Sequence, residues 1–442
     1  MNILYIAYSC SPFLGSEDKI GWCVPYESSK TNRVWVITKE EQRKPIEKYL
    51  KEHRLENIEF YYIDIPEVYK KVFKGFLYSG RLNAWNRRVF TLVKRICSEN
   101  KVDIIHQITP IEFRAIGDYG KIADVKFVCG PLGAGQRIPQ GLKDYAIGHE
   151  IIEIVRTIVN YLFRFKLKVT GKLNRCDYIM FANKETQEFL GGGWNCPSEL
   201  VFDNGLRTDE LVKTESVEDR NMGKNITYKE SMTEVVVGIK DNKIDKTNNC
   251  CTFLVVGRML YIKGLDFLFD ALSRISETSN YQVIIVGDGP ELFRLRKRCK
   301  RDKNLKQHVQ FTGKVPYFEM EREYAKADVL IMPSIRESTG TVLLEAISKG
   351  IPVITINKFG GATLIDENTG WLYDGSDKES YIENLKRAIL ECIYCPDEVK
   401  RRGINARIKA ENYTWQEKNK KYQKIYENLL KSDSEANKNQ CV

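Results

Sequence analysis

The order of apolar and polar segments predicts an α/β protein built of two β/α/β domains. In the first half, short apolar runs alternate with helical patterns, the rhythm of a parallel sheet wrapped by helices. A polar stretch, Lys213–Asn249, then interrupts the alternation. From Thr252 the same rhythm resumes. A chain of 442 residues has length enough for two or three domains.

The strand candidates of the first half are Ile3–Tyr8, Val34–Thr38, Ile58–Ile63, Ile104–Ile108, Lys126–Cys129, Tyr178–Ala182 and Glu199–Phe202. The first is followed by Ser9–Trp22, a loop with Pro12, Gly15 and Ser16 that opens into a helix. Only Gly15 and Gly21 stand there, without the third glycine of a dinucleotide fingerprint, so a nicotinamide cofactor is not expected. The fourth run puts His106 near a strand end, the sheet edge where ligands gather in parallel sheets. A histidine packed under that edge is the alternative. Gly130–Pro139, GPLGAGQRIP, follows the fifth run and lets backbone approach a substrate. The stretch Lys213–Asn249, with one brief apolar run at Val235–Val237, reads as a flexible insertion near the domain junction. The tail beyond Tyr413–Leu430 is polar and expected to fray.

The densest information lies in Val329–Ile354, VLIMPSIRESTGTVLLEAISKGIPVI. An apolar run breaks at Pro333, a polar loop follows, a helix starts near Thr341, and a second apolar run closes the unit. Glu337 sits in the loop and Glu345 one turn into the helix. Ser338, Thr339 and Gly340 stand where free N–H groups and the positive end of the helix dipole gather, a ready anion site. Phosphate at a helix start with a carboxylate on each side suggests a sugar-nucleotide pocket.

Composition narrows the alternatives. No stretch approaches the roughly 20 apolar residues of a membrane span. MNILYIAYSC lacks a basic leader region and runs straight into a strand pattern, so a cytoplasmic protein with reduced cysteines is expected. Cys392 and Cys395 form a CxxC without a second pair or a histidine nearby, so zinc is not expected. The net charge is +10, and no nucleic-acid-binding motif accompanies it. Lys70–Arg95 carries eight basic residues, no acidic ones and several aromatics. Ile151–Lys168 mixes Ile, Leu and Phe with Arg156, Arg164, Lys166 and Lys168. These two segments fit an anionic membrane surface, or equally two helices with apolar faces in the core and lysines in water.

The Glu337–Glu345 arrangement resembles the E-x7-E signature of retaining glycosyltransferases of family 4. Four further segments resemble elements of that family in the same order: Val255–Leu272 with its Gly-Arg and Lys-Gly, Val283–Leu292 with Gly-x-Gly-Pro, Phe311–Pro316 near the nucleotide base, and Phe359–Tyr373. Ser9–Trp22 is similar to a subgroup loop, with Asp18 and Lys19 in place of a Pro-Gly pair. The family's histidine commonly stands two places beyond His106, where this chain has Ile108. The resemblance implies two Rossmann-like β/α/β domains (GT-B) facing across a cleft, with a C-terminal helix crossing back to the first. On this basis residues 1–206 are expected to bind acceptor and 207–250 to be a polar insertion or linker. Residues 251–412 are expected to bind the nucleotide-sugar, and 413–442 to form the crossing helix and tail.

The resemblance also implies roles. Arg258 and Lys263 would neutralise the donor diphosphate, aided by backbone N–H groups at Thr341 and Val342. Glu345 would accept the ribose hydroxyls and Glu337 would hold the sugar ring. Gly15, Gly287, Gly313 and Val315 would line the donor site, and His106 is a further catalytic candidate. No metal or other cofactor is expected. The implied activity is retaining, metal-independent transfer from a nucleotide-sugar to a glycan or lipid-linked acceptor, in cell-surface polysaccharide synthesis; on the membrane reading of the two basic segments, the protein would attach peripherally to an anionic membrane face. The alternatives are a synthase with a soluble acceptor and a catalytically silent partner subunit.

Overall fold

A computed structural model of the protein describes residues 1–72, 78–211, 250–316 and 319–440. The expected insertion at 213–249 lies outside them. The first sheet has seven parallel strands: β1 (Asn2–Ala7), β2 (Arg33–Lys39), β3 (Ile58–Ile63), β4 (Ile104–Thr109), β5 (Lys126–Leu132), β6 (Tyr178–Phe181) and β7 (Ser198–Leu200). Their order in space is β3-β2-β1-β4-β5-β6-β7. The chain reverses direction across the sheet between β1 and β4, which opens a crevice at the C-terminal ends of those strands. Each of the seven apolar runs read from the sequence forms one of these strands.

The second sheet has six parallel strands: β8 (Cys251–Val256), β9 (Tyr281–Val286), β10 (Val309–Gly313), β11 (Val329–Met332), β12 (Val353–Ile356) and β13 (Gly370–Tyr373). Their order is β10-β9-β8-β11-β12-β13. The reversal falls between β8 and β11, so the segments after these two strands, Gly257–Lys263 and Pro333–Gly340, meet at one crevice. Both faces of each sheet are covered, which is why the strands read as continuous Val and Ile runs.

The helix Trp415–Gln440 returns to the first domain. Leu206 and Tyr413–Trp415 pair by backbone bonds of 2.9 Å in each direction, which aims the helix. Its Trp415, Tyr422, Ile425 and Tyr426 are buried against Ile3, Tyr5, Val34 and Ile104 of the first sheet. Burying each such large side chain is worth about 1.5–3 kcal/mol, so this crossing is a main tie between the domains. A second tie runs the other way. Ile138, Leu142 and Ala146 of the first domain are buried in the core cluster of the second, beside Phe267 and Leu268. The Tyr145 hydroxyl there donates to Asp270 Oδ2 at 2.8 Å.

The two basic segments part ways. In the helix Tyr78–Glu99, Leu82, Trp85, Val89, Leu92, Val93 and Ile96 face the core, as an ordinary amphipathic helix would. In the helix Glu150–Thr170 only Asn160 and Leu167 are buried, and most of its aliphatic residues face water.

Candidate functional site

The site is assembled at the crevice of the second sheet. After β8 comes Gly257, with φ 152°, and then the exposed Arg258. A single turn at Tyr261–Lys263 ends on Gly264, which adopts φ 68°. A Cβ on Gly264 would lie 1.9 Å from the Pro333 carbonyl oxygen, so only glycine lets this turn seat against the end of β11. The seating brings Lys263 Nζ into an ion pair with Glu337 Oε2. Glu337 Oε1 also accepts from the Ser338 N–H at 3.2 Å. A small cavity is lined here by Gly257, Arg258, Met259, Lys263, Pro333 and Ser334.

The helix Thr341–Ser348 starts immediately after Gly340, whose φ of 76° turns the chain into it. Thr341 and Val342 therefore carry first-turn N–H groups that have no partner within the helix. Glu345 lies on this helix, and the Tyr324 hydroxyl donates to its Oε2 at 2.6 Å. Burial raises the Glu345 carboxyl above its ordinary range, and the Tyr324 bond opposes that rise. Gly287 continues from β9 and donates to the Gly313 carbonyl at 2.8 Å. A Cβ on Gly287 would stand 1.9 Å from the Gly257 carbonyl oxygen, so the ends of β8, β9 and β10 are knit together. Val315 packs on the core just beyond β10.

The first domain supplies the other wall, and the sequence reading missed its residues. Gln136 Nε2 donates to the Glu337 carbonyl at 3.0 Å, and Asn183 Nδ2 to the Ser338 carbonyl at 3.3 Å. Thr339 Oγ1 donates to Asp203 Oδ2 at 2.9 Å, and Asn204 Nδ2 to Thr341 Oγ1 at 2.9 Å. The loop that presents Glu337 is thus fixed by four side chains from the C-terminal ends of first-domain strands. One signal was legible: Gln136 lies in the glycine-rich Gly130–Pro139 loop, and a Cβ on Gly133 would stand 2.9 Å from Ser338 Oγ. Behind that loop, Arg156 donates to the carbonyls of Gln136 and Ala134 at 2.9 and 3.0 Å. Glu153 accepts from Tyr261 at 2.5 Å and pairs with Arg336.

His106 does not open onto this site. His106 is fully buried in the middle of β4, because the strand runs on to Thr109 and the helix Trp415–Gln440 covers that side of it. Its Nε2 is 2.8 Å from the Gly130 carbonyl and its Nδ1 is 2.6 Å from the Tyr426 hydroxyl. Desolvation pushes its pKa down to about 3, so the ring is neutral, with the proton on Nε2 because a carbonyl can only accept. His106 is thus packed between β4 and the crossing helix, with no exposed surface to offer a substrate. Gly15 stands on an exposed loop with nothing within 4 Å of where a Cβ would be. Close by is Glu17, whose carboxylate accepts from the Ile111 N–H. Desolvation pushes its pKa up to about 7; the Ile111 bond opposes this and Glu112 adds to it.

Residues 239–409 match the family described as Glycosyl transferases group 1. Over 248 residues the chain is 29% identical to an uncharacterized glycosyltransferase of Methanocaldococcus jannaschii, covering 51% of this chain and 58% of that protein. Over 174 residues it is 32% identical to a GDP-mannose-dependent alpha-(1-6)-phosphatidylinositol monomannoside mannosyltransferase of Mycolicibacterium smegmatis, covering 36% of this chain and 43% of that protein. The chain therefore spans about half the length of these relatives. Among solved structures, sucrose-phosphate synthase from Thermosynechococcus elongatus superposes with TM-score 0.60 at 17% identity, over 98% of this chain and 99% of that one. An Anabaena protein solved in complex with UDP superposes with TM-score 0.59 at 15% identity, over 97% and 100%. The second domain of this chain thus resembles the glycosyl transferases group 1, and the whole chain, with its two facing parallel sheets, has the GT-B fold.

Proposed function

We propose that the protein transfers a sugar from a nucleotide-sugar donor to a lipid-linked acceptor, with retention of anomeric configuration and without a metal ion. The observation that carries the reading is the convergence of Lys263, Glu337 and the start of the helix Thr341–Ser348 at one crevice, with Arg258 at its rim. A leaving diphosphate needs positive charge and N–H donors where its charge develops. Arg258 supplies a forked contact, Lys263 a point charge, and Thr341 and Val342 their N–H groups. In the structure Lys263 is paired with Glu337. Donor binding would split that pair, turning the lysine to phosphate and freeing the carboxylate for the sugar hydroxyls. Glu345 would accept from the ribose hydroxyls. With Glu337 engaged by the sugar hydroxyls and Glu345 by the ribose, neither carboxylate would serve as a nucleophile, and the acceptor's proton would pass to the departing phosphate. The lipid-linked acceptor is favoured by the mycobacterial relative, whose name specifies a phosphatidylinositol-based substrate.

The test is a transfer assay with labelled UDP-, GDP- and ADP-sugars, membrane lipid extract and no added metal. Label should move into the organic phase from one donor class, and NMR of the product should show the donor's anomeric configuration. An inverted product would overturn the mechanism. Transfer only to water-soluble sugars would favour a synthase with a soluble acceptor.

A further inference from the structure

The helix Glu150–Thr170 is inside out. Three of its polar side chains point inward and build the site: Glu153 to Tyr261 and Arg336, Arg156 to the carbonyls of Ala134 and Gln136, Asn160 to Ala134. Its apolar side chains point outward. Ile151, Ile154, Ile158, Leu162, Phe165 and Val169 are between 53% and 77% exposed. Their spacing of three and four residues places them on one line along the helix, about 27 Å long. A continuous apolar stripe of that length on an exposed face is a contact surface, since scattered apolar residues would not align.

What it contacts is indicated by charge. The helices Glu150–Thr170 and Tyr78–Glu99 pack on the same side of the first sheet, sharing one core cluster through Leu167 and through Leu82, Trp85 and Val89. Their outer faces therefore look the same way. The outer face of Tyr78–Glu99 carries Arg87, Arg88, Lys94 and Arg95, and the stripe itself is flanked by Lys166 and Lys168. The acids on these outer faces are Glu150 and Glu99, one at an end of each helix. An aliphatic line beside a field of cations matches a bilayer with anionic headgroups, into which the side chains enter while the cations stay at phosphate depth. A second copy of this chain fits poorly, because a two-fold contact would set the same cations against one another. The polar segment 213–249 offers only Val235–Val237 as an apolar run, too short to cover the stripe.

We propose that the stripe of Glu150–Thr170 and the basic face of Tyr78–Glu99 dock the first domain on an anionic lipid bilayer, with the N-terminal end of the stripe beside the donor crevice. Glu153 and Arg156 lie at that end and hold the loop that meets Glu337, so a lipid-linked acceptor would pass from the bilayer into the crevice over a short distance. This link from docking to turnover rests on the lipid-acceptor reading above; the docking itself does not.

The experiment is flotation of the full chain with phosphatidylglycerol-rich vesicles and with phosphatidylcholine vesicles. The wild type should float with the first and much less with the second. I158E/L162E should lose at least about tenfold in vesicle affinity. R87E/K94E should lose the preference for anionic lipid. Both changes are at exposed positions, and the thermal shift caused by nucleotide-sugar in solution should be the same in all three proteins, which separates docking from the donor-site reading. Equal flotation of wild type and I158E/L162E would overturn the proposal, as would absence of wild-type flotation with anionic vesicles. A wild-type dimer that I158E/L162E turns into a monomer would assign the stripe to a protein contact instead.

Discussion

Replacing Tyr426 by Phe tests how the crossing helix is tied to the first sheet. The geometry fixes the direction of each bond. The Gly130 carbonyl takes the His106 Nε2 proton, so Nδ1 is an acceptor and the Tyr426 hydroxyl donates to it at 2.6 Å. The Tyr5 hydroxyl, 3.3 Å from Tyr426, is left to donate to the Tyr426 oxygen. All three residues are buried. Tyr426→Phe keeps the ring and its packing but strands Nδ1 without a donor, at a cost of roughly 1–3 kcal/mol. The loss of the longer Tyr5 bond adds a few tenths, because Tyr5 keeps Ser28 as a partner. A total near 2 kcal/mol is expected as a shift in the urea unfolding midpoint. Donor affinity and turnover of the folded enzyme should be unchanged. A variant with wild-type stability but turnover depressed a hundredfold would refute this reasoning and return His106 to the chemistry.

Four further outcomes are expected. Because burial holds the folded-state pKa of His106 near 3 while its ordinary value is 6.5, the unfolded chain binds the extra proton between these values. Stability should therefore fall as pH drops from about 6.5 toward 3, by up to about 1.4 kcal/mol per unit, and acid unfolding curves of the wild type should show it. Glu17 has the opposite sign: its folded pKa of about 7 lies above the ordinary 4.5, so it destabilises the fold as pH rises through that window, and Glu17→Gln should gain on the wild type from pH 5 to pH 8 in thermal melts. Gly264→Ala places a Cβ against the Pro333 carbonyl at a positive φ, so it should cost more than about 1 kcal/mol and weaken donor binding by disturbing Lys263. Tyr324→Phe removes the hydroxyl that opposes the rise of the Glu345 carboxyl, so donor affinity should fall off at a higher pH than in the wild type, read by titration calorimetry.

Much of this molecule was legible in the chain. Strands buried on both faces must be apolar throughout, so Ile3–Tyr8 or Val329–Met332 declares itself. Gly340 and the acids around it declare a helix start, and the helix does begin at Thr341. What stayed hidden depends on tertiary placement. Asn183, Asp203 and Asn204 are ordinary loop residues until the domains close and set them against Ser338, Thr339 and Thr341. The burial of His106 was hidden for a similar reason, since the element that covers it comes 320 residues later in the chain. In Glu150–Thr170 the apolar period was plain, but a period does not say which side faces water. That was decided by Arg156 and Asn160 finding backbone carbonyls inside.

The most direct measurement is the thermal shift of the purified chain with UDP-, GDP- and ADP-sugars, for wild type and Lys263→Ala. At about a hundred times its dissociation constant a donor should stabilise the wild type by about 2.7 kcal/mol. Lys263→Ala should weaken binding by roughly 1–3 kcal/mol and cut the stabilisation at the same concentration to between about 1.8 and about 0.3 kcal/mol. A shift of equal size in both proteins would place the donor elsewhere and contradict the crevice at Lys263 and Glu337.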